Sequence, residues 1–250
     1  MTLFRTFLAV LLLLGAALAG PAAGAEAVDV ELVLLADASG SIDDAEILFQ
    51  RQGYASAITD PQVIAAIAQG YEQRIAVTYV EWGAADSQEV VVPWTIIDGA
   101  GSAAVFAKQL MAPPRLAFGR NAIGNALAAG QALIESNDIA GFRKVIDFSG
   151  DSANNWGGLP ITTARDAAVG AGIVINGLAI LCRQCSSGRP ISYDLEEAFE
   201  RLIIGGPGAF VVTADNRESF AAAVRKKLLL EVAGPPGGAA PALRTAGRRR

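Results

Sequence analysis

Residues 28–36 form an apolar run broken only near its start by Asp29 and Glu31, which predicts a strand that becomes buried on both faces. Asp43 or Asp44 then offers a helix cap with Glu46 in the first turn, and the helix runs to about Thr59. Pro61 opens a short helical piece that Gly70 ends. Residues 74–82 and 88–94 read as two strands joined by a hairpin over 83–87. Helical spacing returns at 102–111, stopped by Pro113-Pro114, and again at 122–136. The remaining pattern is strand 144–149, helix 161–171, strand 173–180, helix 195–203, strand 209–212 and helix 216–232.

Strands and helices thus alternate, with one hairpin. Strands separated by helices pair in parallel with right-handed crossovers, so helices cover both faces. The expected fold is α/β: a doubly wound, mostly parallel sheet with one antiparallel edge strand. No internal repeat breaks this pattern.

The two ends of the chain read differently. Arg5 precedes an apolar run at 7–18 broken only by Gly15, and Ala23-Gly24-Ala25 fits a small-residue cleavage pattern. Residues 1–25 are therefore expected to be a signal peptide, removed on export to the periplasm or beyond. The run is shorter than the roughly 20 apolar residues a bilayer span needs, and no stable span is expected after cleavage. Residues 26–233 form the folded domain. Residues 234–250 are rich in Gly, Pro and Ala and end in Arg248-Arg249-Arg250, which reads as a flexible basic tail.

Composition narrows the chemistry. A net charge of −5 gives no basic surface for nucleic acid. The chain has no histidine, which removes the usual general base and the usual zinc ligand. Cys182 and Cys185 are the two cysteines. In an oxidising compartment they are expected to form a structural disulfide, because the Ser-Ser-Gly-Arg-Pro stretch after them is loop-like and no helix start activates a thiolate. Gly99-Ala100-Gly101 lacks the third glycine of a dinucleotide fingerprint and reads as a turn.

In an open doubly wound sheet, ligands gather beyond the C-terminal strand ends, where strand order reverses. The first strand delivers Asp37-Ala38-Ser39-Gly40-Ser41 to that edge, and the fourth delivers Ser149-Gly150-Asp151. Gly119-Arg120-Asn121 precedes the long helix. D-x-S-x-S alone is a common turn composition. With a second carboxylate and an amide oxygen at one edge, the donors are hard oxygens that suit Mg2+, or Mn2+ or Ca2+. Asp147 lies within a strand expected to be buried, and its role reads as structural. Trp82 and Trp156 lie near the edge, as cover for the sheet end or as a contact surface.

These segments, with Val80-Glu81-Trp82 and the stretch Ile146-Asp147-Phe148-Ser149-Gly150-Asp151 followed by Asn154-Asn155, resemble the metal-ion-dependent adhesion site of von Willebrand factor A domains. The likeness is to exported bacterial members of that superfamily and spans roughly residues 28–232. The resemblance implies metal contacts, direct or through water, from Asp37, Ser39, Ser41 and Asp151. It departs from the family pattern at Asn121, where threonine is usual, and at Ser152, where glycine is common. It implies a module that binds a protein ligand, whose acidic side chain completes the metal shell. A metal-dependent hydrolase and a scaffold that has lost its metal are the alternatives. No nucleophile–base pair is evident for the former, although a Ser–Lys pairing stays open.

Overall fold

A computed structural model of the chain describes residues 25–112, 114–181, 192–215 and 217–234. The expected signal peptide, the cysteine pair and most of the basic tail lie outside the described residues. The element order is β1 (Glu26–Asp37), α1 (Asp44–Ile58), α2 (Pro61–Ala68), β2 (Ile75–Trp82), β3 (Gln88–Ile97), α3 (Ala100–Met111), α4 (Ile123–Glu135), β4 (Ile139–Gly150), α5 (Ile161–Gly170), β5 (Ile173–Ile180), α6 (Leu195–Leu202), β6 (Val211–Ala214) and α7 (Arg217–Ala233). The strands form one sheet in the order β3-β2-β1-β4-β5-β6. β3 pairs antiparallel to β2, and the other four pairings are parallel. This is the doubly wound α/β fold with one antiparallel edge strand.

β1 shows how the apolar run sets the layers. Val30, Leu32, Leu34 and Ala36 point into the core shared with α1, α2, α3 and α7, where Tyr54, Phe106 and Phe220 pack. Val33 and Leu35 point into the other core, with Leu127, Phe148 and Phe199, under α4, α5 and α6. A strand with period two and apolar residues at both phases must be covered twice. β1 therefore sits at the centre, flanked by β2 and β4. The chain winds outward in one direction from β1 to β3 and in the other from β4 to β6, so strand order reverses between β1 and β4.

β4 begins at Ile139, five residues before the apolar run suggests, because Glu26 and Ala27 of β1 pair with Ile139 and Ala140. The extension alternates between half-buried and exposed positions and contains Gly141, so it carries no run of its own. Gly141 N donates to the buried Glu31 carboxylate at 2.7 Å, and Asn137 Nδ2 donates to its other oxygen at 3.0 Å. Gly99 and its neighbours form the β3–α3 turn and the start of α3. α1 is capped by Asp43: its side chain accepts from Glu46 N at 2.8 Å, and Glu46 Oε2 accepts from Asp43 N at 2.9 Å.

The core facing α7 contains charges. Asp147, in mid-β4, lies 2.8 Å from Lys227 Nζ, and Lys227 lies 2.5 Å from Glu231 Oε1. All three are buried. Asn176 on β5 donates to Glu231 at 3.0 Å, and Tyr54 OH donates to Asp147 at 3.4 Å. Burial and the Asp147 carboxylate push the Glu231 carboxyl up to about 7, against the lowering pull of Lys227 and Asn176. Tyr54 and Arg143 also sense Glu231. A carboxyl whose folded pKa is raised binds a proton in the folded state that the unfolded chain has released. Between pH 4.5 and about 7, stability is therefore expected to fall as pH rises, then level off with respect to this group. Melting curves across that window should slope less for Glu231→Gln than for the natural chain; equal slopes would assign the dependence elsewhere.

Candidate metal centre

The loops after β1 and β4 flank the point where strand order reverses, and the two carboxylates meet there. Asp37, the last residue of β1, pairs with Trp82, and Ala38 N continues the ladder to Trp82 O at 2.9 Å. The chain then turns back on itself: Asp37 Oδ1 accepts from Ser39 N at 2.8 Å. The Ser39 and Ser41 hydroxyls are 3.2 Å apart, and Ser41 Oγ donates to Asp151 Oδ1 at 3.2 Å. Asp37, Ser39, Ser41 and Asp151 thus form one connected hydrogen-bonded cluster, with the Ser39 backbone N–H linking Asp37 to the hydroxyls. Asp37 and Ser39 are fully buried, and Asp151 is nearly so. Gly150 keeps the approach open, since a Cβ there would sit 3.3 Å from Asp37 Oδ2.

The electrostatics of this cluster are unfavourable by themselves. Burial, and next the Asp151 carboxylate, push the Asp37 carboxyl up to about 8, with hydrogen bonds from Ser39 and from the Asp151 backbone opposing. Burial also raises the Asp151 carboxyl; its bond from Ser41 opposes the shift, and the Glu46 carboxylate adds to it. Among the described residues, Asp37 Oδ2 is buried with no hydrogen-bond partner, and the same holds for Glu46 Oε1 and Gln50 Oε1. An orphaned buried oxygen on a carboxylate costs several kcal/mol unless a proton or cation offsets it.

Several groups hold the loop in this form. Arg115 donates to Ile42 O at 2.7 Å, Ser39 O at 2.9 Å and Ala117 O at 2.9 Å, and also to Ala38 O. Its guanidinium spends nearly all its donors on carbonyls of the D-x-S-x-S loop and its neighbours. Gln50 Nε2 donates to Asp37 O at 3.1 Å. Gly40 N donates to Gly119 O at 2.8 Å, which docks the third loop against the first. Arg115 and Gln50 escaped the sequence reading. Arg115 sits in an irregular segment after two prolines, and Gln50 looks like any polar position on a surface helix. Arg115→Ala should leave four carbonyls short of a donor and loosen the loop. The expected result is a loss of about 1–3 kcal/mol in stability, with faster amide exchange at residues 38–42. Unchanged exchange there would deny Arg115 this positioning role.

Asn121 is placed differently from the other four. It is buried, and its backbone carbonyl accepts from Trp156 N at 2.7 Å. Among the described residues, no hydrogen bond engages its side-chain amide, so the third loop reaches the cluster through Gly119 and not through Asn121. Ser152 Oγ accepts from Asn154 N at 3.0 Å and shapes its own loop. Trp82 is buried, stacks on Phe148 with centroids 5.0 Å apart and donates to Ser149 O at 3.3 Å, so it closes the sheet end. Trp156 is 62% exposed and carries the Arg120 guanidinium 5.0 Å above its ring.

The donor set fits a small hard cation. Among the described residues, no three His, Cys, Asp or Glu side chains form a metal-holding group. A cation here would rest on Asp37 and Asp151, with the Ser39 and Ser41 hydroxyls as neutral donors. Two carboxylates held close, one with an orphaned oxygen, are the arrangement a divalent ion relieves.

Comparison with known proteins bears on the fold. Residues 27–236 match the model of a family described as "Protein of unknown function (DUF1194)". No curated protein matches the chain. The von Willebrand factor type A protein from Catenulispora acidiphila is similar at a TM-score of 0.56 and 17% identity, over 82% of this chain and 43% of that one. Proximal thread matrix protein 1 from the mussel byssus, with a zinc-occupied MIDAS motif, is similar at 0.57 and 15% identity, over 83% and 49%. The pilus adhesin SpaC from Lactobacillus rhamnosus GG, in its open conformation, is similar at 0.56 and 14% identity, over 82% and 30%. This chain spans less than half the length of each. At these identities the likeness establishes a von Willebrand factor A-like fold.

Proposed function

We propose that this chain, which belongs to the DUF1194 family by its match over residues 27–236, is a cation-dependent protein-binding module. Asp37, Ser39, Ser41 and Asp151 hold one divalent cation, Mg2+ or else Mn2+ or Ca2+, with Asn121, whose side-chain amide no hydrogen bond engages among the described residues, as a weaker contributor from the third loop. The observation that carries this reading is the orphaned, buried Asp37 Oδ2 beside a second carboxylate. The cation supplies positive charge at the sheet edge when bound. The protein's residues fix that charge where a partner's acidic side chain completes its shell. Two carboxylates and two hydroxyls supply about four donors, which leaves positions open in a six-donor shell for water or for that side chain.

The similar proteins include a pilus adhesin and a byssus protein with a zinc-occupied MIDAS motif, which supports binding over catalysis. Lys227, the lysine a Ser–Lys pair would need inside the core, is engaged by Asp147 and Glu231. The module is a single domain over residues 26–233, exported after cleavage behind Ala25, with a Cys182–Cys185 disulfide and a basic tail. Among the described residues, no helix is long and apolar enough to cross a membrane.

Thermal melting of the natural chain and of Asn121→Thr, each with Mg2+, Mn2+, Ca2+ and EDTA, tests the reading. The natural chain should melt higher with at least one cation, and Asn121→Thr should gain more by restoring the hydroxyl usual at that position. No cation-dependent shift in either protein would leave the fold as a scaffold without metal.

A further inference from the structure

Outside the cluster, the sheet edge carries large apolar side chains in water. Phe118 is 56% exposed and Trp156 62%, while Leu159 and Tyr193 are also exposed. Each belongs to a loop tied to the cation cluster. Phe118 precedes Gly119, whose carbonyl accepts from Gly40 N of the D-x-S-x-S loop. Trp156 and Leu159 follow Asp151 in the same loop; Trp156 N is bonded to Asn121 O, and Leu159 N to Asn125 Oδ1 at 2.8 Å. Tyr193 OH accepts from Ala153 N at 3.0 Å. Scattered exposed apolar residues need no explanation, but a group around one edge marks a contact surface.

Two arginines at this edge have opposite fates. Arg115 spends its donors on loop carbonyls. The Arg120 guanidinium sits 5.0 Å from the centre of the Trp156 ring and, among the described residues, forms no ion pair or hydrogen bond. A guanidinium stacked on an indole keeps its edge donors free for a carboxylate, and the stacking holds it in place.

We propose that Phe118, Arg120 and Trp156 form, beside the cation site, a docking face for a protein segment carrying two carboxylates on an apolar frame. One carboxylate meets the cation and the other the Arg120 guanidinium. The apolar frame covers Trp156 and Phe118. This rests on the cation reading above and adds the second acid and the aromatic seat. The chain's own tail, ending in Arg248-Arg249-Arg250, has the wrong charge to occupy the face.

The probe is a pair of synthetic peptide pools, with Leu, Phe, Gly and Ser randomised around either one aspartate or two. Binding to the full chain is read by fluorescence anisotropy in Mg2+ and in EDTA. The two-aspartate pool should bind roughly tenfold tighter than the one-aspartate pool, the size of one charge-assisted contact. Arg120→Ala should erase that difference while keeping the Mg2+ dependence. Trp156→Ala should weaken both pools by about thirtyfold, as loss of an aromatic anchor does. If Arg120→Ala keeps the two-aspartate preference, or neither pool binds, the docking face is overturned while metal-dependent melting can still stand. If Asp37→Ala and EDTA leave peptide binding intact, the cation reading fails instead. Sedimentation in Mg2+ covers the remaining occupant: a dimer abolished by Trp156→Ala would assign the face to a second copy and overturn the proposal.

Discussion

Asp37→Ala is expected to abolish the cation-dependent rise in melting temperature completely. The side chain is fully buried, supplies the orphaned oxygen of the cluster and sits against Asp151. A ligand present at a hundred times its dissociation constant stabilises by about 2.7 kcal/mol. In a domain of this size that is a shift of roughly 5–10 °C. The variant should lose all of it. In EDTA the same substitution should act in the opposite direction. Removing a carboxyl that burial and Asp151 hold at a pKa of about 8 removes a source of strain. The metal-free variant should therefore melt at or above the metal-free natural chain above pH 8, where the Asp37 carboxyl of the natural chain loses its proton. A variant that melts well below the natural chain in EDTA would mean that Asp37 is a structural residue whose hydrogen bond to Ser39 outweighs the repulsion.

Lys227→Met is expected to be the most destabilising single change in the core. Lys227 is fully buried between Asp147 and Glu231, and Asp147 Oδ2 and Glu231 Oε2 are already without partners among the described residues. Removing the ammonium leaves two buried carboxylates facing each other. Breaking a buried ion pair by removing one partner costs about 3–5 kcal/mol. That corresponds to a fall of roughly 6–20 °C in melting temperature, measured by thermal unfolding. Replacing the whole cluster tests the cause. Lys227→Met combined with Asp147→Leu and Glu231→Met should recover most of the loss, because apolar residues of similar size often substitute for buried charges at little net cost. A triple variant as unstable as Lys227→Met alone would show that methionine packs badly at position 227, and that stranded charge was not the problem.

The fold was legible because its signals are local and redundant. β1 announces burial on both faces by its unbroken apolar run, and the Asp43–Glu46 capping box starts α1 where the carboxylates suggest. Elements drifted where the local signal ends. The first five residues of β4 are set by their pairing with β1, which no pattern within 139–143 expresses. β6 lies two residues later than its apolar pattern suggests, since Gly177 to Ile180 of β5 fix its register.

The candidate site was legible in part, for the same reason. Asp37 ends β1 with Ser39 and Ser41 in the short loop after it, and Asp151 directly follows β4, so topology alone carries them to one edge. Arg115 and Gln50 act on that loop through hydrogen bonds to its carbonyls from outside it, Glu46 acts through its charge on Asp151, and their residue types are ordinary for a surface. Asp147 drew attention as a carboxylate in a buried strand, but its partner Lys227 reads as one more polar position on α7. Asn121 takes its place by resemblance and not by contact: its backbone carbonyl is used by Trp156, and its side-chain amide is not tied to the cluster.

The most direct test of the cation site is a Mn2+ soak of crystals of the full chain, read by anomalous scattering. One strong peak is expected between Asp37, Ser39, Ser41 and Asp151, within coordination distance of Asp37 Oδ2, and it should vanish in Asp37→Ala. A chain that binds no Mn2+ at this edge, with the Asp37 and Asp151 carboxyls simply sharing a proton, would contradict the account.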